Sequence, residues 1–164
     1  MSYTRLLLAF VLLNGLLFAQ APAEAGLAIQ GDVASPLMIT ADDLAKMPRQ
    51  TASVPAPDGG RIVYEGVALR ALLEKAGAPF GDKLRGKALT TYVLAIAKDG
   101  YQVAFTLGEL DPQFGNQTVL VADRRDGKPL PDKQGPFRLV CPNDHEGARS
   151  VRMLETLHVV RLAK

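Results

Sequence analysis

Residues Gln50–Pro79 read QTASVPAPDGGRIVYEGVALRALLEKAGAP, and this stretch decides the fold class. Its first half holds Pro57-Asp58-Gly59-Gly60 between two extended arms. That is hairpin chemistry, because glycine supplies the positive φ of a tight turn. In its second half Val67, Leu69, Leu72, Leu73 and Ala76 fall on one helical face, Gly77 stands where a helix C-cap is expected, and Pro79 prevents continuation. A hairpin therefore feeds a helix.

The same alternation continues outward on both sides. LAIQGDV (Leu27–Val33) reads as a strand, and LMIT (Leu37–Thr40) as a short extended piece. Thr40 with Asp43 three residues on forms a capping box, so residues 41–47 are expected to be a helix stopped by Pro48. Downstream, TYVLAIAKDGYQVAFTLGEL (Thr91–Leu110) gives two strands around Lys98-Asp99-Gly100 and a turn of helix opened by Thr106 with Glu109. QTVLVADRRDGKPL (Gln117–Leu130) repeats the strand-turn logic at Asp126-Gly127, and VRMLETLHVVRL (Val151–Leu162) closes the chain as a strand containing a bulge. Strands with two or three short helices give an α+β class, mostly β.

The 164 residues carry 19 Lys and Arg against 17 Asp and Glu, a formal charge of +2. The charges alternate in sign along most of the chain instead of clustering, which excludes nucleic-acid binding as the expected role. Residues 1–25 read as a secretory signal: Arg5, a largely apolar run from Leu6 to Ala19, and Ala23-Glu24-Ala25 at the cleavage point. The run is shorter than the roughly 20 residues that span a bilayer, so no membrane span is expected after cleavage. Residues 26–164 remain as a single exported domain, periplasmic or secreted. Its only cysteine, Cys141, can form no internal disulfide and no paired-cysteine zinc site. Flanked by Leu139, Val140 and Pro142, it is expected to be a small buried hydrophobe.

The pieces ITADDLAKMP, YEGVALRALLEKAG, AKDGYQVAFTLGEL, LVADRRDGKPLPDKQGPFRLVCP and ARSVRMLETLHV follow in order along nearly the whole mature chain. Together they resemble the sulfite-oxidase-type, or oxidoreductase molybdopterin-binding, domain family. The resemblance implies a sulfite-oxidase fold. It also implies that catalytic members hold molybdenum through a cysteine thiolate on the segment matching QTASVPAP, where this chain has Thr51, Ala52, Ser53 and Val54. A serine hydroxyl, un-ionised at neutral pH, is a poor substitute for that soft donor. Exported catalytic members leave the cytoplasm folded, behind paired arginines, whereas Arg5 here stands alone. The expected cofactor is therefore none, with molybdopterin the alternative. The expected role is a binding module for a small anion or an envelope protein, with a molybdopterin-dependent oxidoreductase as the alternative.

Matched to the family pattern, Ser150 and Arg152 correspond to residues that approach the cofactor's phosphate, and Met153 departs from a common tryptophan. Arg149 adds a donor beside them, and Arg138 is expected either to join them or to pair with Asp144. Guanidinium groups with a hydroxyl make a plausible anion site, while alternate basic side chains on a strand can equally point to solvent. His145, in the polar loop Pro142–Gly147, is a candidate acid-base group, metal ligand or cofactor-binding residue whose alternative is a surface histidine. A hairpin of GPFRLVCP with SVRMLETLHV is expected to bring Arg138 to Arg152. Internal neutralisation by Asp144 or Glu146 would instead make the cluster structural.

Overall fold

The protein is described by a computed structural model over residues 26–162; the signal segment expected at 1–25 lies outside the described residues. Ten strands and three short α-helices follow in the order β1 (Leu27–Gly31), β2 (Leu37–Ile39), α1 (Ala41–Ala45), β3 (Gln50–Pro55), β4 (Arg61–Ala68), α2 (Leu69–Lys75), β5 (Thr91–Ala97), β6 (Gln102–Thr106), α3 (Leu107–Leu110), β7 (Leu120–Arg125), β8 (Lys128–Pro129), β9 (Arg138–Val140) and β10 (Leu154–Arg161). The α+β class with short helices is as expected.

The strands form two sheets. One has the order β2-β1-β10-β5-β6, with β1 parallel to β10 and the other pairs antiparallel. The second runs β3-β4-β7-β8, with β9 also pairing β7. One core cluster joins Leu27, Ile29, Val93, Phe105, Leu157 and Val159 of the first sheet to Val67, Val121 and Leu139 of the second, together with Leu69, Leu72 and Leu73 of α2. The opposite face of the second sheet carries a smaller cluster of Ala52, Tyr64, Leu120, Ala122 and Val140. That face positions one of the candidate residues.

Local chemistry explains most boundaries. Thr40 and Thr106 each accept from the backbone N–H of an acidic residue three positions on, whose carboxylate accepts in return, so both capping boxes are present. Gly77, past the α2 C-cap at Ala76, has φ +84°, the left-handed conformation that ends helices at least cost in glycine.

Two expectations are corrected. Val67 belongs to β4 and not to the helix: the strand runs through Ala68, whose side chain makes no cap, and α2 begins at Leu69. The expected hairpin of GPFRLVCP with SVRMLETLHV does not form. Instead β9 pairs with β7 (Leu120↔Val140, Ala122↔Arg138), while β10 lies between β1 and β5 in the other sheet. The two segments meet only through bonds such as Leu139 N–H to the Val151 carbonyl and Leu154 N–H to the Phe137 carbonyl, each 2.8 Å. They bridge the sheets where Arg138 and the Arg149–Arg152 segment emerge.

Candidate functional site

Cys141 follows β9 directly and is only 4% exposed. Its N–H donates to Ser150 Oγ at 3.1 Å, and its thiol lies 3.6 Å from the Arg149 carbonyl oxygen. Burial, reinforced by the Asp144 charge, pushes the thiol pKa up to about 12. At neutral pH the group is therefore a thiol, neither nucleophile nor soft anionic donor. Two consequences can be measured. A bulky alkylating reagent should modify native Cys141 far more slowly than the unfolded chain, and Cys141→Ser should cost about 1–3 kcal/mol by placing a hydroxyl in this apolar setting. Modification at the rate of a free thiol would contradict the burial.

Arg149 is neutralised from two sides. Its Nε and Nη2 donate to the two Asp144 carboxylate oxygens at 2.8 Å each, and Nη1 donates to Glu109 Oε1 at 2.8 Å. The guanidinium lies over the Phe105 ring, 4.9 Å from its centroid, and Gln117 donates to Asp144 Oδ1 at 2.9 Å. Arg149 holds its proton more tightly than a free arginine, chiefly through the Asp144 hydrogen bonds, and Asp144 sits below the ordinary carboxylate range for the same reason. Asp144 does supply internal charge, Glu109 supplies more, and no ion pair of Glu146 is found among the described residues. The clasp ties α3 and β6 to the loop before β10.

Arg138 goes elsewhere. Because Ala122↔Arg138 and Ala52↔Tyr64 are paired across strands, and Ala122, Ala52 and Tyr64 all belong to the outer cluster of the second sheet, Arg138 shares that face with them. It is 8% exposed. Nη1 donates to the Tyr64 hydroxyl at 2.9 Å and to Gln134 Oε1 at 2.7 Å, and the guanidinium stacks 4.6 Å from the Tyr64 ring centroid. It does not pair with Asp144, which is committed to Arg149. The strand register also puts Ala52 and Val54, opposite Tyr64 and Ile62, on this face. On β3, the face shared with Arg138 thus presents the alkyl groups of Ala52 and Val54 and, in the row of Arg138 itself, the amide of Gln50.

Ser150 and Arg152 share a cavity of about 240 Å³ with Asp99, Tyr101 and Ala148. The Tyr101 hydroxyl closes one side by donating to the Ala148 carbonyl at 2.9 Å. Arg152 is exposed and has no ion pair among the described residues; His145 is exposed in its loop. The five candidates are thus brought to one region but not to one point: Ser150 and Arg152 meet, Arg149 is turned to carboxylates, and Arg138 faces the outer cluster. Tyr64 and Gln134 were not singled out by the sequence. Gln134, four residues before Arg138 in the same segment, carried a weak proximity signal; Tyr64 carried none. A larger cavity of about 530 Å³ lies between α1 and the β7–β8 region, lined among others by Asp42, Lys98, Asp123, Arg124 and Asp132. Its Asp123 is held by Arg49 in a bidentate pair at 2.6 and 3.1 Å.

Residues 17–163 match the family model described as "Oxidoreductase molybdopterin binding domain". Among solved structures the chain is similar to the sulfane dehydrogenase SoxCD from Paracoccus pantotrophus, with a TM-score of 0.63 and 23% identity. The match covers 86% of this chain and 40% of that one, so the chain spans about two fifths of that structure's length, and at this identity the likeness is one of fold. No curated protein matches the chain in sequence.

Proposed function

Because the chain belongs to the oxidoreductase molybdopterin binding domain family, we propose that it is an exported binding module of that family, which holds a small anion or an envelope protein and turns over no molybdenum centre. The observation that carries this reading is the donor set. The single thiol is buried beyond β9 and protonated at neutral pH, and β3 presents Ala52 and Val54 to the face it shares with Arg138. A molybdenum ion held by thiolate does not fit these residues, since the segment matching the family's ligand carries no cysteine and the one thiol is buried beyond β9.

What the remaining groups support is recognition of negative charge. Ser150 and Arg152 offer a hydroxyl and a guanidinium at one cavity, and a guanidinium matches the paired oxygens of phosphate, sulfate or carboxylate. Family membership is the observation that favours the rival reading, a molybdopterin-dependent oxidoreductase. The two readings separate on protein recovered from the periplasmic fraction of a Gram-negative host. Its intact mass should lack residues 1–25, and denaturation should release no fluorescent pterin. A mass retaining that segment would contradict export through cleavage, and a stoichiometric pterin would establish the rival.

A further inference from the structure

The two sheets end in several strand edges, and most of them are blunted. β2 and β9 have three residues each and β8 has two, one of them a proline. β3 is longer, but Pro55 has no N–H, and the Arg61 guanidinium reaches across to donate to the Ser53 carbonyl at 3.0 Å. Such devices keep an exposed edge from pairing with another chain. β6 has none of them. Its five residues pair with β5 alone and without a bulge, and the segment from Gly100 to Thr106 holds no proline and no charged residue. Ala97 N–H donates to the Tyr101 carbonyl at 2.9 Å, which sets the alternation: Tyr101, Val103 and Phe105 turn their main chain to β5, whereas Gln102, Ala104 and Thr106 turn theirs outward. The Thr106 N–H is engaged by the Glu109 carboxylate at 3.2 Å. The N–H and C=O groups of Gln102 and Ala104 are left without a partner among the described residues, and both residues are exposed.

We propose that β6 is a dimerisation edge whose occupant is β6 of a second copy of this chain, running antiparallel about a two-fold axis at Val103. In that register Gln102 of each copy faces Ala104 of the other, so every free N–H at the junction meets a free carbonyl. Centred on Ala104 instead, Gln102 would face Thr106, whose N–H is already engaged by Glu109. A two-fold axis also brings each residue near its own copy, so a charged residue there would repel itself, and between Gly100 and Thr106 there is none. On the inner side, half-buried Val103 and Tyr101, which is 48% exposed, would be covered by their counterparts. One strand pair about 17 Å long covers less than the about 800 Å² per partner of a standard interface, so the dimer is reversible and half-formed at roughly 10–100 µM. The inference goes beyond the binding-module reading and does not depend on it.

Sedimentation equilibrium of the purified protein, from about 10 µM to about 1 mM, should show the average mass rising from one chain towards two. Ala104→Pro should remain a single folded chain over the same range, because the N–H it removes points away from β5. The register has its own test. Val103 and its counterpart would be a non-hydrogen-bonded antiparallel pair with Cα atoms about 4.5 Å apart, inside the range that a disulfide spans. Oxidised glutathione should therefore link Val103→Cys into dimers about tenfold faster than Ala104→Cys, whose side chain lies on the opposite face of the strand. Cys141 is buried and does not compete. A single chain up to about 1 mM, a dimer that persists in Ala104→Pro, or equal linking of the two cysteine variants would overturn the inference. Should Ala104→Pro fail to fold, the ratio of the two linking rates decides.

Discussion

Gly66→Ala is expected to abolish the stable fold, with a loss of about 3 kcal/mol or more in urea unfolding if any folded protein is recovered. Gly66 is buried in β4 beside the irregularity where the pairing with β7 shifts register. A Cβ built there meets the Val121 carbonyl oxygen at 2.0 Å, Ala122 Cα at 2.6 Å and the Val121 carbonyl carbon at 2.7 Å. All three are backbone atoms of the central strand of the second sheet, so no side chain can swing aside. Relief requires β4 and β7 to separate, and that would disturb Val67 and Val121 in the main core. Gly108→Ala in α3 provides the contrast: no atom lies within 4 Å of its added Cβ. Helix propensity then favours alanine by about 0.5–1 kcal/mol. A Gly66→Ala protein as stable as the parent would contradict the close approach of these strands.

Arg149→Met is expected to lose about 2–3 kcal/mol at neutral pH. Breaking a fully buried ion pair costs about 3–5 kcal/mol because the partner charge is left stranded. Here the Arg149 side chain is 32% exposed, so solvent reduces the penalty. Asp144, at 13% exposure, is the group left without its partner. The pH dependence has a definite sign. Asp144 has a pKa below its ordinary 3.8 in the folded state, so its pairing contributes fully above that value and is lost as pH falls through the depressed folded pKa. The stability gap between parent and variant should therefore be widest at neutral pH and shrink as the solution is acidified below about 4. A gap independent of pH would show that the loss comes from packing on Phe105 and not from the ion pair.

Much of the fold was legible because it is written in local chemistry. The Thr40 and Thr106 capping boxes, the glycine turns at 59, 100 and 127, and Gly77 past α2 each act over a few residues. The boundary between β4 and α2 was not legible. Val67 is buried whether it ends a strand or begins a helix, and Ala68 supplies no side-chain cap to mark the change. The β9–β10 pairing was misread for another reason: β9 has three residues, and its partner β7 is chosen by the sheet and not by proximity in sequence.

The candidate region shows the same division. Asp144, five residues from Arg149, was foreseeable as a partner, whereas Glu109 lies 40 residues away and Tyr64 lies 74 from Arg138. Long-range contacts decided which arginine was satisfied and which was not. Without them all four cationic and hydroxyl groups of the C-terminal segment could be assigned to one anion site, although one is clasped by carboxylates, one is buried against uncharged acceptors and two line an open cavity.

The ratio of molybdenum to protein, measured by elemental analysis on the purified protein, tests the central claim most directly. With Cys141 buried beyond β9 and no cysteine on β3, the account predicts a ratio indistinguishable from the buffer blank. One molybdenum per chain, surviving gel filtration, would contradict it.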